Sequence, residues 1–205
     1  MHPLHIIIGK IILGAELSGC QVILGKDCGG DQNIQLFCKD EAGYATRFCS
    51  VDAIVLKDGK VKVIIEIEES DIRPMALCGK AFVSALAPHF IHQGKSYPIA
   101  PHAFFIQVID TKELSPRSSK LPQCRHLIEL VREALSTSGR NMEYDIFHGD
   151  IAEFERPESR RELQDHLRIA CSLSEPGFVL SGEALLMPPA PQPVPTLTAA
   201  SADRS

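Results

Sequence analysis

Residues 50–80, SVDAIVLKDGKVKVIIEIEESDIRPMALCGK, determine how the rest of the chain is organised. The pattern predicts two apolar strands around a turn at residues 57–60, followed at once by a helix. Three acids interrupt the strands: Asp52 lies in the first, and Glu66 and Glu68 lie in the second. A buried carboxylate is costly unless it is paired, protonated or bound to a metal ion. The hairpin is therefore the first place to look for a functional site.

The second strand has two distinct faces, because successive side chains in a strand point to opposite sides. We predict that the core face carries the aliphatic set and that the other face carries the acids. The core set is Val61, Val63, Ile65 and Ile67, and the other set is Lys62, Ile64, Glu66 and Glu68.

The turn decides whether Asp52 lies on the same face as the glutamates. A two-residue Asp58-Gly59 turn would pair Asp52 with Ile65 and place it on the wrong face. A three-residue loop at residues 57–59, with a bulge at Gly59, would pair Asp52 with Ile64, diagonal to Glu66. We predict the three-residue loop.

Bulk properties limit the class of protein. The 205 residues suffice for one core with a tail, and the net charge of −5 argues against strong non-specific binding to nucleic acid. No apolar run is long enough to span a bilayer, so we expect no membrane partner. The seven cysteines lack C-x-x-C spacing, which predicts reduced thiols in a cytoplasmic protein.

The whole pattern predicts a single α/β domain at residues 1–182, with a central mixed sheet flanked by helices. Residues 183–205 are rich in proline and predict a disordered tail, or a ligand segment for a protein partner. The helix after the hairpin should bury a stripe that includes Met75, Phe82 and Leu86. We predict helices at residues 4–17, 124–136 and 157–171, and strands at residues 20–24, 34–38, 48–56, 61–68, 103–109 and 142–147.

The order helix, strand, strand, strand, helix, strand, with acids on the middle hairpin, resembles the core of the PD-(D/E)XK nuclease superfamily. Restriction endonucleases and archaeal Holliday-junction resolvases belong to this superfamily. The motif residues are Val51-Asp52 and, after thirteen intervening residues, Glu66-Ile67-Glu68. The resemblance covers about residues 4–110 and implies a restriction endonuclease-like α-β-β-β-α-β core.

The resemblance also implies roles for the site residues. Asp52 and Glu66 would bind Mg²⁺ (or Mn²⁺), with the backbone carbonyl of Ile67 as a third ligand. Glu68 stands where the superfamily usually has lysine, and in some members the lysine lies on the following helix, as Lys80 does here. Glu68 would be a further ligand or orient the attacking water, and Lys80, or Arg73 in its place, would stabilise the developing negative charge.

Two functions follow as hypotheses. The first is a Mg²⁺-dependent DNA endonuclease of the restriction or repair kind. The second is a catalytically inactive nuclease-like fold that binds nucleic acid or protein. Convergence of Asp52, Glu66 and Glu68 in a pocket, with raised pKa values, would favour the first. A homodimer would be needed for simple double-strand cleavage, since one site per chain cuts one strand, and the sequence shows no interface.

Each of these residues also has a structural interpretation. The glutamates would then lie on the solvent face of an edge strand, and Lys80 would be solvated. The histidine clusters have no complete ligand set, so we interpret them as structural or solvated. These clusters are His89, His92 and His102, and His148 with Asp145 and Asp150.

Overall fold

The structure is a computed structural model that describes residues 2–69, 72–115, 117–137 and 142–173. The predicted tail at residues 183–205 lies outside the described residues. The helices are α1 (Pro3–Leu13), α2 (Pro74–Leu86), α3 (Lys120–Thr137), α4 (Ile151–Glu155) and α5 (Pro157–Ser172), with a 3-10 helix at Lys26–Cys28. The strands are β1 (Cys20–Leu24), β2 (Ile34–Phe37), β3 (Arg47–Val51), β4 (Ala53–Lys57), β5 (Lys60–Glu68), β6 (His89–His92), β7 (Lys95–Asp110) and β8 (Glu143–Gly149).

The eight described strands form one mixed sheet in the order β1-β4-β5-β7-β6-β2-β3, and β8 also pairs with β7. Strand β7 is long enough to join two parts of this sheet. Its beginning pairs antiparallel with β6, and its later part runs parallel to both β5 and β8. The predicted α/β class with a central mixed sheet flanked by helices is therefore confirmed. Among the described residues, no helix combines the length and apolar character needed to cross a membrane.

Both faces of the sheet are buried. On one face α1 and α5 pack on β5 through residues such as Leu4, Leu167 and Ile65. On the other face α2 and α3 pack on the same strand through residues such as Ala81 and Ile64. The prediction of a single core face on β5 is wrong, because helices cover both sides. The acids of β5 therefore cannot lie on an open solvent face.

The β4–β5 hairpin differs from the predicted register. Lys57 pairs with Lys60 around a two-residue turn in which Asp58 and Gly59 have φ of 51° and 74°. The three-residue loop with a bulge at Gly59 is thus wrong. Positive φ at both central residues matches the twist of the flanking strands, and Asp-Gly suits that geometry.

A bulge lies elsewhere in the hairpin, at Lys62. Leu56 pairs with Val61, but Val55 pairs with Val63, so β5 carries one extra residue. Beyond this bulge Ala53 pairs with Ile65. Asp52 consequently lies level with Glu66 rather than opposite Ile64, and the two acids come together despite the two-residue turn.

Several element boundaries also differ from the prediction. The strand predicted at residues 48–56 is interrupted at Asp52, which separates β3 from β4. The first helix ends at Leu13, with Gly14 as its C-cap. Helix α2 buries Leu77 and Ala81, so the predicted stripe is wrong. Met75 is largely exposed, and Phe82 and Leu86 are partly exposed.

Candidate functional site

Glu66 is the centre of the candidate site. It lies near the end of β5, with β4 on one side and β7 on the other, and only 9% of its surface is exposed. Lys80 on α2 reaches down to it, with Nζ 2.6 Å from Glu66 Oε1. The second carboxylate oxygen, Oε2, is buried and has no hydrogen-bond partner among the described residues. A buried oxygen of this kind requires a hydrogen-bond donor or a cation to satisfy it.

Burial and the neighbouring charge of Asp52 raise the pKa of Glu66 to about 8, against the opposing effect of Lys80. Glu68 adds a smaller contribution in the same direction as Asp52. Such a shift means that the ionised form lacks sufficient compensation in the protein alone. A bound cation would supply that compensation.

Asp52 lies at the break between β3 and β4, beside Glu66. Its Oδ2 accepts a hydrogen bond of 2.7 Å from the backbone N–H of Ile67, and its Oδ1 lies 3.6 Å from His5 Nε2. Burial raises the pKa of Asp52, and the Ile67 N–H and His5 counteract it. The strand break thus lets the carboxylate bind to the main chain of the neighbouring strand, where it is held beside Glu66.

Lys80 is half-buried and shared between the acids. Burial opposes its charge and is the largest single effect, but the attraction and hydrogen bond of Glu66, with smaller effects of Cys49 and Asp52, together outweigh it and raise the pKa of Lys80. Its charge also acts on Asp52. Of the two predicted cations, Lys80 therefore lies at the acids, whereas the exposed Arg73 lines a separate apolar cavity with Met75 and Leu127.

Glu68 and Ile67 complete the predicted set. Ile67 is buried, and its main chain belongs to the site because its N–H binds Asp52. Glu68 is the last residue of β5 and is half-buried, two residues beyond Glu66. The structure thus brings Asp52, Glu66 and Lys80 together, with Glu68 at the mouth of the site.

The sequence analysis missed Gln107, which is fully buried on β7 in register with Glu66. Its Oε1 accepts a hydrogen bond from the Tyr144 hydroxyl, and its Nε2 has no partner among the described residues. Two unsatisfied polar atoms therefore lie on adjacent strands. The only signal in the sequence is that Gln107 is the sole polar side chain in the apolar run at residues 103–109.

A second polar cluster, also missed, lies where α1 begins. Glu69 Oε1 accepts hydrogen bonds of 2.8 Å from the backbone N–H of His5 and lies 2.8 Å from His5 Nδ1. His2 Nδ1 lies 3.7 Å from Glu69 Oε2. Burial works against the charge on Glu69, but the hydrogen bonds from His5 hold the pKa of Glu69 below its usual value. The spacing of His2 and His5 was the only sequence signal for this cluster.

Three of the histidines interpreted above as structural or solvated have protein partners. His92 contacts Gln32, and His89 contacts Ser96, within and beside the β6–β7 hairpin. His148 Nε2 lies 2.8 Å from an Arg125 nitrogen. All seven cysteines are free.

Comparison with known protein families, curated proteins and solved structures finds no match to this chain. The function is therefore inferred from the geometry of the site.

Proposed function

We propose that the protein is a metal-dependent nuclease that hydrolyses phosphodiester bonds of DNA. One observation carries the proposal: the buried Glu66 carboxyl group, with a pKa of about 8, lies beside Asp52 and 2.6 Å from Lys80. Two acids and a lysine on a strand hairpin and the following helix are the groups that the resemblance to the PD-(D/E)XK superfamily implies.

The order of the elements supports a restriction endonuclease-like core. Helix α1 is followed by β1, and the hairpin of β4 and β5 leads into α2 and then β7, which runs parallel to β5. These elements give the succession helix, strand, strand, strand, helix, strand. In this proposal β2 and β3 are an insertion before the hairpin, and β6 is an insertion before β7.

The residues present fit a hard divalent cation. Glu66 Oε2 is a buried oxygen that has no hydrogen-bond partner in the part of the chain that the structure describes, and Asp52 supplies a second carboxylate beside it. Mg²⁺ (or Mn²⁺) prefers such oxygens, with waters and phosphate completing its coordination. Asp52, Glu66 and the carbonyl of Ile67 would hold the ion. When bound, the ion would lower the pKa of a coordinated water and offset charge on the phosphate.

The remaining steps belong to side chains of the protein. Glu68, at the mouth of the site, would orient the attacking water and accept its proton. The Lys80 ammonium group, half-exposed beside Glu66, would donate a hydrogen bond to a phosphate oxygen as negative charge develops there. The water oxygen forms a bond to phosphorus, the opposite phosphorus–oxygen bond breaks, and the leaving oxygen takes a proton from solvent.

The second candidate is a catalytically inactive subunit that binds nucleic acid or protein. The close Lys80–Glu66 ion pair favours it, because Lys80 already satisfies Glu66 Oε1 without a metal ion. The two functions differ in whether the acids bind a divalent ion at all.

Calorimetric titration with Mg²⁺ and Mn²⁺ tests the proposal. We expect the native chain to bind, Glu66→Gln to lose binding, and Glu129→Gln, on the exposed face of α3, to retain it. Supercoiled plasmid should then be nicked by the native chain in Mg²⁺ and left intact by Glu66→Gln. Absence of binding of either ion to the native chain would favour the inactive subunit.

A further inference from the structure

Two histidines at the start of α1 face Glu69, which follows β5. His2 is the N-cap of α1 and His5 is three residues further on, so both side chains lie on one side of the first turn. Their rings lie 5.1 Å apart between centroids. One nitrogen from each ring and one oxygen of Glu69 lie within 4.8 Å of one another. Two imidazoles and a carboxylate are a ligand set typical of zinc sites in proteins.

The separations between the three groups suit a single small ion. A tetrahedral Zn²⁺ ion with bonds of about 2.0–2.1 Å places its ligand atoms about 3.3 Å apart. The distance from His5 Nδ1 to Glu69 Oε1 is 2.8 Å, and the distance from His2 Nδ1 to Glu69 Oε2 is 3.7 Å. These two distances involve different oxygens of Glu69, and one ligand atom from each of the three residues lies within 4.8 Å of the others, so rotation of the exposed His2 side chain would bring the three atoms to that spacing.

The surrounding contacts already orient the ligands. The backbone N–H of His5 donates to Glu69 Oε1 and fixes the carboxylate. On the far side of the His5 ring, Nε2 lies 3.6 Å from Asp52 Oδ1. A metal-binding imidazole usually turns its other nitrogen toward a carboxylate in this way, which fixes the ring orientation and strengthens the ligand.

The electrostatic environment favours a cation. Burial raises the pKa of the Cys28 thiol, and four nearby acids raise it further, namely Asp52, Asp27, Glu66 and Glu69. Four acids thus share one small region of the molecule. Lys80 is the cation that contacts Glu66 in this region. A divalent ion would reduce the repulsion among these acids.

We propose that His2, His5 and Glu69 form a metal site for a transition-metal ion of the Zn²⁺ class, separate from the oxygen site at Asp52 and Glu66. The fourth position of the ion is open to water. A metal ion on His5 Nδ1 would require the neutral imidazole tautomer with its hydrogen on Nε2, which faces Asp52 Oδ1, so the ring would lose the Nδ1 hydrogen to solvent and take one from solvent at Nε2. The nitrogen ligands select against Mg²⁺, which prefers oxygen. The proposed metal site is inferred from the contacts of His2, His5 and Glu69, and it does not depend on the proposed nuclease activity.

Cobalt(II) absorption and zinc competition test the site, with the full chain carrying no added histidine tag. Four-coordinate Co²⁺ bound by nitrogen and oxygen should give visible absorption bands, which Zn²⁺ should abolish and millimolar Mg²⁺ should not. We expect His2→Ala and Glu69→Gln to weaken Zn²⁺ binding by more than about tenfold, measured against a chromophoric chelator. His126→Ala, which removes an exposed histidine from α3, should bind Zn²⁺ as the native chain does.

His2 is largely exposed, so His2→Ala should retain the fold, and circular dichroism would verify this. Glu66→Gln separates the two sites: it should lose Mg²⁺ binding and keep the cobalt spectrum. The proposal is overturned if native protein gives no cobalt spectrum, if His2→Ala leaves Zn²⁺ affinity unchanged, or if intense thiolate-to-metal absorption shows that cysteines hold the ion.

Discussion

At the scale of single residues, the site depends on a carboxyl group whose charge is poorly compensated. Glu66 is buried beside Asp52, and one of its oxygens has no partner among the described residues. The pKa of about 8 is far above the ordinary value of 4.5 for glutamate. The metal-free protein therefore holds Glu66 protonated at neutral pH, whereas the unfolded chain ionises it.

The pH dependence of stability follows from this difference. Between about pH 4.5 and 8 the folded state retains a proton that the unfolded state has lost, so the free energy of unfolding falls as pH rises. Glu66→Gln removes this decrease. In EDTA, we expect the variant to gain stability over the native chain as pH rises from 5 to 9, by on the order of a few kcal/mol. Urea unfolding of both proteins at several pH values measures this difference in the free energy of unfolding.

The loss of the Lys80 ion pair in Glu66→Gln does not change this expectation. Lys80 stays charged throughout the range, and the pKa of about 8 for Glu66 already includes the attraction of Lys80, so the ionisation of Glu66 alone sets the pH dependence of the difference. A stability difference between variant and native chain that stayed constant from pH 5 to 9 would show that Glu66 ionises normally in the folded protein.

At the scale of elements, periodicity predicted most of the strands and helices, but it missed β6, α4 and the first part of β7, and it did not predict how the strands pair. Asp-Gly in the β4–β5 turn is a strong local signal for a two-residue hairpin. The bulge at Lys62 brings Asp52 level with Glu66 in spite of the two-residue turn, and no pattern in the sequence marks this bulge. Lys62 is itself buried, and its Nζ donates a hydrogen bond to the carbonyl oxygen of His102.

Contacts between distant segments were also beyond prediction. His5 and Glu69 are 64 residues apart, and their hydrogen bond exists only because α1 packs beside the end of β5. Gln107 meets Glu66 through the parallel register of β5 and β7, which the crossover through α2 sets. By contrast Asp52, Glu66 and Lys80 were predictable, since they lie on one local hairpin and the helix that follows.

The packing of α1 on the 3-10 helix at Lys26–Cys28 gives an element-scale prediction. A Cβ atom at Gly9 would lie 2.2 Å from the carbonyl oxygen of Cys28, which is backbone that cannot rotate away. We expect Gly9→Ala to lower the free energy of unfolding by about 1–3 kcal/mol and to displace α1, which carries His5. Denaturant unfolding measures the loss.

Gly79→Ala is the matched control. Gly79 lies inside α2, and a Cβ there meets nothing within 4 Å. Alanine should therefore stabilise that helix by about 0.5–1 kcal/mol. Equal effects of the two substitutions would mean that α1 does not pack closely on the 3-10 helix.

At the scale of the whole molecule, the site lies where a sheet covered on both faces exposes the ends of its strands. Helices α1 and α5 cover one face, and α2 and α3 cover the other. Asp52 is approached by His5 from α1 and by Lys80 from α2, so both layers contribute to one site. Binding of an ion there should therefore stabilise the whole domain.

Thermal unfolding measures how much the bound ion stabilises the domain. An ion that binds only the folded state at 100 times its dissociation constant adds about 2.7 kcal/mol to the free energy of unfolding. For a domain of this length, that corresponds to a rise in Tm of roughly 5–11 °C. We expect such a rise for the native chain when EDTA is replaced by saturating Mg²⁺, and none for Glu66→Gln, in scanning calorimetry at pH 8.

Because Glu66 must lose its proton to bind the ion, the rise in Tm should be smaller at pH 6 than at pH 8. An equal rise in Glu66→Gln would place the stabilising ion elsewhere on the molecule.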